Sequence, residues 1–103
     1  MDFDKYQEEA IKTAQYADPM YPIVSLIVEA SELADLFVKP WMRGDMGDPV
    51  RSEVVVEAGD VLWNLTNLLE DMGITLEEVA VYNVKKVNDR LERGVISGSG
   101  GNR

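Results

Sequence analysis

The chain has 103 residues, 46% of them hydrophobic, with 19 acids against 10 bases and a net charge of −9. That is one globular domain, too acidic to coat a nucleic-acid polymer and suited to binding cations. With no cysteine and no histidine, disulfides, thiolate zinc sites, Ser-His-Asp triads and His-containing helical metal sites are all excluded.

The N-terminus, MDFDKYQEEA, is polar and acidic rather than a signal peptide, and no apolar run approaches a membrane span. A cytoplasmic protein is expected. The first helix is predicted over DFDKYQEEAIKTAQYA, where Phe3, Tyr6, Ala10, Ala14 and Ala17 recur at three- and four-residue spacing before Pro19. A second helix starts near Pro22 and runs to the Lys39-Pro40 break. RGDMGDP reads as a loop, with Asp48 as N-cap and Pro49 as first residue of a third helix. That helix runs to Met72 and stops at Gly73. Thr75 and Glu78 form a capping box for a fourth helix ending near Gly94. The fold class is all-α: a four-helix domain over residues 1–96, then a Gly- and Ser-rich tail, 97–103, expected to be mobile without a ligand.

On the third helix, Glu53, Glu57, Asp60, Asn64, Asn67 and Asp71 fall within a stripe of roughly 80°. The stripe is narrow and holds no lysine or arginine, whereas a solvated face is wider and mixes its signs. Valines, leucines and alanines cover much of the remainder, so this helix is expected to be central. Four helices of this length do not enclose it, which predicts a homodimer or homotetramer. The second helix places Glu29 and Glu32 about 60° apart beside Leu26, Ala30, Leu33 and Phe37; Asp35 lies further round. If the two helices run antiparallel, Glu29 and Glu32 face Glu57 and Asp60. Four carboxylates on two rigid elements suit a hard, oxygen-bound cation, Mg²⁺ with Mn²⁺ as a substitute, or Ca²⁺. On the fourth helix Asn83, Lys86 and Arg90 lie within about 60° of one another, a pattern that fits phosphate. Acids for a metal and bases for phosphate together point to a Mg–nucleotide substrate.

At these residues the sequence resembles the MazG-like family of all-α nucleoside triphosphate pyrophosphohydrolases. The family pattern, EExxE then ExxD, is met by V28-E29-A-S-E32 and E57-A-G-D60, and YPIVSLIVEASELAD, EAGDVLWNL, NVKKVNDR and RGVISGSGGNR extend the similarity over nearly the whole chain. The resemblance implies a four-helix bundle completed by oligomerisation, and Mg²⁺-dependent conversion of a nucleoside triphosphate to monophosphate and pyrophosphate. It assigns Glu29, Glu32, Glu57 and Asp60 as metal ligands and Asn83, Lys86 and Arg90 to the substrate phosphates. Val28 replaces the first acid of EExxE, and Gly101 replaces an acid in the tail. The general base stays open among the glutamates, with Glu57 in the site and Glu53 one turn before it. For base stacking, Trp41 in the loop after the second helix is a candidate. Trp63 reads as core, and Tyr16 and Tyr21 are undecided. The alternative from another class is a non-catalytic helical oligomer that binds nucleotide or metal as a sensor or interaction module.

Overall fold

The computed structural model describes residues 1–94, and among these it contains four helices and no strand: α1 (Phe3–Ile11), α2 (Met20–Met42), α3 (Arg51–Asp71) and α4 (Leu76–Glu92). The tail expected over 97–103, with Gly101, lies outside the described residues. The fold class is the all-α arrangement read from the periodicity.

Helix α1 is shorter than its pattern. Asp2 caps it, accepting from Lys5 N–H at 2.7 Å, but it ends at Ile11, although the apolar spacing continues to Ala17. Thr13 takes over at that point. Its hydroxyl donates to the Ala10 carbonyl at 2.8 Å and accepts from Trp63 Nε1 at 2.8 Å. Tyr16 OH then donates to Asp71 at 2.9 Å. Two side-chain anchors onto α3 outweigh the local helical preference and peel residues 12–19 away from the axis.

Helix α2 passes through Pro40 instead of breaking there. Proline removes one ladder donor, which is tolerated in a last turn closed from beyond. Arg43 N–H bonds the Lys39 and Pro40 carbonyls, Asp45 N–H bonds Pro40 at 2.9 Å, and Gly44 at φ 76° turns the chain out. Helix α3 opens at Arg51, two residues later than the Asp48-Pro49 signal. Val50 is its N-cap in an extended conformation (ψ 122°), and no side chain caps it. Its far end behaves as expected, with Gly73 at φ 72°. The Thr75–Glu78 capping box of α4 is present in both directions, at 3.1 and 2.8 Å.

The tertiary frame is α2 laid along α3, with α1 bridging α3 and α4. Gln7 ties the bridge. Its Nε2 donates to the Ile74 carbonyl at 3.1 Å and its Oε1 accepts from Leu76 N–H at 2.8 Å, so this buried amide closes the α3–α4 turn from inside. Around it the buried core is small: Ala10, Leu69, Leu76 and Pro22, with Thr66 and Asn67 among them. Those two polar residues satisfy themselves on their own helix, donating to the Leu62 and Trp63 carbonyls at 2.6 and 3.0 Å. Outside this core the apolar surface stays open. Val55 and Val56 are 63% and 59% exposed, and Ile27, Val28, Phe37, Val81 and Val84 are exposed as well. In one chain α3 is therefore central at its C-terminal end only. The Cα radius of gyration of 16.3 Å exceeds the ~13 Å of a compact 100-residue domain.

Candidate metal centre

Four acids meet where α2 and α3 lie side by side. Along α2 the order Tyr21, Ser25, Glu29 runs beside Asn64, Trp63 and Asp60 of α3, and Glu32 one turn on reaches Glu57. The helices are antiparallel, as the site requires. Glu29, Glu57 and Asp60 bring one ligand oxygen each within 4.8 Å of one another. Glu32 touches the carboxylates of both Glu29 and Glu57. Asp35 is turned away, paired with Lys39 at 3.4 Å.

The electrostatics are those of crowded, unneutralised acids. Burial raises the Glu29 carboxyl above its usual range, and contact with Glu32 and the charges of Glu32, Asp60 and Glu57 push it further. Glu57 is raised by burial and by the charges of Glu32 and Asp60, with the Glu29 contact opposing. Oε2 of Glu29 and Oε2 of Glu57 are buried and hold no hydrogen bond. Acceptor-only atoms left without donors, converging from two helices, fit a divalent cation; the donor set is all oxygen.

Beside the acids lies a cavity of about 190 Å³ bounded by Tyr21, Ser25, Glu29, Asp60, Trp63 and Asn64. A larger one of about 560 Å³ adjoins it, lined by Thr13, Tyr16, Tyr21, Asp18 and Trp63 among others. Tyr16 and Tyr21 stack at 5.6 Å, and Trp63 meets Tyr16 edge-on at 6.3 Å. Trp63, read as core from its helical position, is half-buried and borders both cavities. Asn64 also borders the smaller one, and no role was read for it from sequence, although it stands on the acidic stripe four residues after Asp60. That spacing was the available signal.

The remaining sequence-derived residues lie elsewhere in the chain. Glu53 is exposed on α3, one turn before Glu57. Trp41 is 73% exposed near the end of α2, twelve residues past Glu29 and so about 18 Å further along the axis. Asn83, Lys86 and Arg90 are carried on α4, which packs on α1. No basic side chain contributes to the field that shifts Glu29 or Glu57. Among the described residues, the charges that shift Glu29 and Glu57 are those of acids.

Residues 22–95 match the MazG nucleotide pyrophosphohydrolase domain. The chain belongs to that family. The match spans both acidic motifs and the basic face of α4. This MazG-family chain is also similar to the Gene 37 protein of Mycobacterium phage L5, 34% identical over 115 residues that cover all of both chains. No solved structure matches it. A carboxylate cluster such as this one agrees with the metal dependence typical of MazG domains, and no helix among the described residues is long and apolar enough to cross a membrane.

Proposed function

We propose that the protein hydrolyses nucleoside triphosphates, ribo or deoxy, to the monophosphate and pyrophosphate in the cytoplasm, with Mg²⁺ held by Glu29, Glu32, Glu57 and Asp60. The observation that carries this reading is the convergence of three ligand oxygens from two helices within 4.8 Å, two of the contributing carboxylates having a buried, unpartnered oxygen, in a chain of the MazG family. Bound Mg²⁺ supplies charge neutralisation at phosphate oxygens and makes water easier to deprotonate. The protein's part is positioning. α2 and α3 fix the acids on rigid elements, and crowding leaves them in need of a cation. Glu57 would hold the metal together with Glu29, Glu32 and Asp60; Glu53, exposed one turn earlier, would accept the proton of the attacking water. Lys86 and Arg90, with Asn83, grip the phosphates and stabilise the charge that develops on them.

We assign that last role to a second copy. The small core, the exposed valines of α3 and the packing of α4 on α1 favour a homodimer or homotetramer in which α4 of one copy completes the site of another. Mixing Glu57→Ala chains with Arg90→Ala chains tests this. Activity regained in the mixture, with neither variant active alone, is the expected result; no recovery from a mixed oligomer would remove the shared site. The reaction itself is tested with a panel of nucleoside triphosphates and Mg²⁺, resolving monophosphate, diphosphate, pyrophosphate and orthophosphate. Monophosphate and pyrophosphate in equal amounts are expected. Absence of turnover across the panel with either Mg²⁺ or Mn²⁺ would overturn the assignment.

A further inference from the structure

We propose that Asn64 is a positioning residue for the cation: its Oδ1 accepts a hydrogen bond from a water that the bound ion carries. The carboxylates hold the ion directly, and Asn64 holds it through that water. This rests on the cation reading above and adds to it a residue that is not an acid.

Buried acceptors without a partner carry the inference. Among the described residues three side-chain oxygens are closed to solvent and accept no hydrogen bond: Glu29 Oε2, Glu57 Oε2 and Asn64 Oδ1. They belong to one site. Asn64 borders the same cavity of about 190 Å³ as Glu29 and Asp60, and Glu57 joins those two acids in the cluster. An unpaired buried acceptor costs about 1–3 kcal/mol, and an ion or an ordered water is the usual resolution.

The amide is 4% exposed. Its Nδ2 donates to the Asp60 carbonyl at 2.9 Å, and only an N–H serves a carbonyl oxygen, so the two amide atoms are told apart. With Nδ2 engaged along the helix, the side chain has one atom left to offer, and it is an acceptor. The hydrogen-bond contacts of the Glu29 and Glu57 carboxylates are with Glu32 and with each other. What Asn64 lacks is a donor.

Position favours a water over the ion itself as that donor. Asn64 stands one turn after Asp60 on the same face of α3, with about 5–6 Å between their Cβ atoms. Glu57 lies one turn on the other side of Asp60. An ion that gathers Glu29, Glu57 and Asp60 is therefore drawn away from Asn64. Mg²⁺ keeps several of its waters when bound, and a hydrated ion spans the gap. The cavity of about 190 Å³ has room for them, at about 30 Å³ for each water. An amide oxygen accepts a hydrogen bond without taking the proton, so Asn64 orients the water and leaves deprotonation to a carboxylate. A fifth carboxylate at this position would add to the repulsion; an amide does not.

The test measures Mg²⁺ and Mn²⁺ binding to the nucleotide-free protein by calorimetry, for the unmodified chain and for Asn64→Leu, which removes the acceptor at similar volume. Binding about tenfold weaker is expected in the variant, with pulsed EPR counting the same number of waters on Mn²⁺ in both proteins. Thermal unfolding separates this role from packing. Removal of an unpaired acceptor should leave the metal-free Tm unchanged or higher, so the variant should lose stability only when Mg²⁺ is present. Equal affinities, or a Tm lowered equally with and without Mg²⁺, would overturn the Asn64 contact and leave the carboxylate site standing. One more water on Mn²⁺ in the variant would mean that Asn64 ligates the ion directly, which also overturns the proposal. Absence of Mg²⁺ and Mn²⁺ binding by the unmodified chain would overturn the metal reading itself. The same measurements on Asn64→Ala, which adds no apolar bulk, decide the matter where the leucine variant does not fold.

Discussion

From Asn64 to Leu69 the third helix is sealed: Asn64, Thr66, Asn67 and Leu69 are buried. From Arg51 to Asp60 the same helix is open, with Val55, Val56, Ala58 and Asp60 exposed and Glu57 half-buried beside α2. Composition does not explain the difference, since the open half is the more aliphatic and the sealed half carries two asparagines and a threonine. Contacts explain it. Thr13, just past the first helix, holds Trp63, and Gln7 of that helix holds the turn that follows α3. Within one chain the valines have nothing to rest on. Within the chain, packing is concentrated at one end of the helix and the carboxylate cluster sits towards the other.

If the halves divide the labour in this way, substitutions should separate stability from activity. Glu57→Ala should lower kcat/KM by at least about a thousandfold, because several kcal/mol of charge stabilisation depend on the bound cation, while circular dichroism stays helical. Leu69→Ala in the sealed half should do the opposite. A loss of about 2–5 kcal/mol in unfolding free energy is expected, read by chemical denaturation, with kcat preserved in whatever fraction remains folded. Val55→Asp should leave the carboxylates in place and convert the oligomer to monomer by light scattering, since a charge on an interface core opposes association.

Titration sharpens the contrast. Glu29 and Glu57 have folded-state values raised above their ordinary 4.5 by burial and by one another's neighbours. Groups shifted in this direction contribute stability below the unfolded value and lose it as pH rises through the folded value. The metal-free protein should therefore lose stability at this site as pH rises from 4.5 towards neutrality. Mg²⁺ should raise Tm more at pH 7 than at pH 5, and Glu57→Gln should flatten that difference. The smallest effect belongs to Tyr16, whose hydroxyl is raised to about 12 by burial, the Asp71 bond and the charges of Asp71 and Glu70. Its contribution holds below pH 10 and fades as pH climbs through about 12. Tyr16→Phe should cost at most about 1 kcal/mol at neutral pH and remove that alkaline dependence.

Four helices and the acid pairing were legible because periodicity and caps are local signals. Gly73 and the Thr75–Glu78 box marked their boundaries well, and ExxE and ExxD placed Glu29, Glu32, Glu57 and Asp60 on the faces that meet. What escaped was decided at long range. The end of α1 depends on Trp63 and Asp71, some fifty residues away. Gln7 stands at the three- and four-residue spacing of Phe3, Ala10 and Ala14, so its position was visible, but its polarity concealed that it is buried. Pro40 misled in the other direction, because the turn that rescues it lies beyond the helix. Asn64 was seen as a member of a stripe, and only the three-dimensional arrangement shows that one of its two amide atoms has a partner and the other has none.

The clamp made by Gln7 has a consequence far from its own position. By holding the Ile74 carbonyl and the Leu76 N–H on one side chain, it sets the angle at which α4 departs from the rest of the chain. If α4 serves a neighbouring copy, as proposed above, that angle would fix how far Lys86 and Arg90 stand from the other copy's acids. In the assembly proposed above, a single amide inside the first helix would act as its gauge, setting the distance between opposite charges in two different molecules while touching neither.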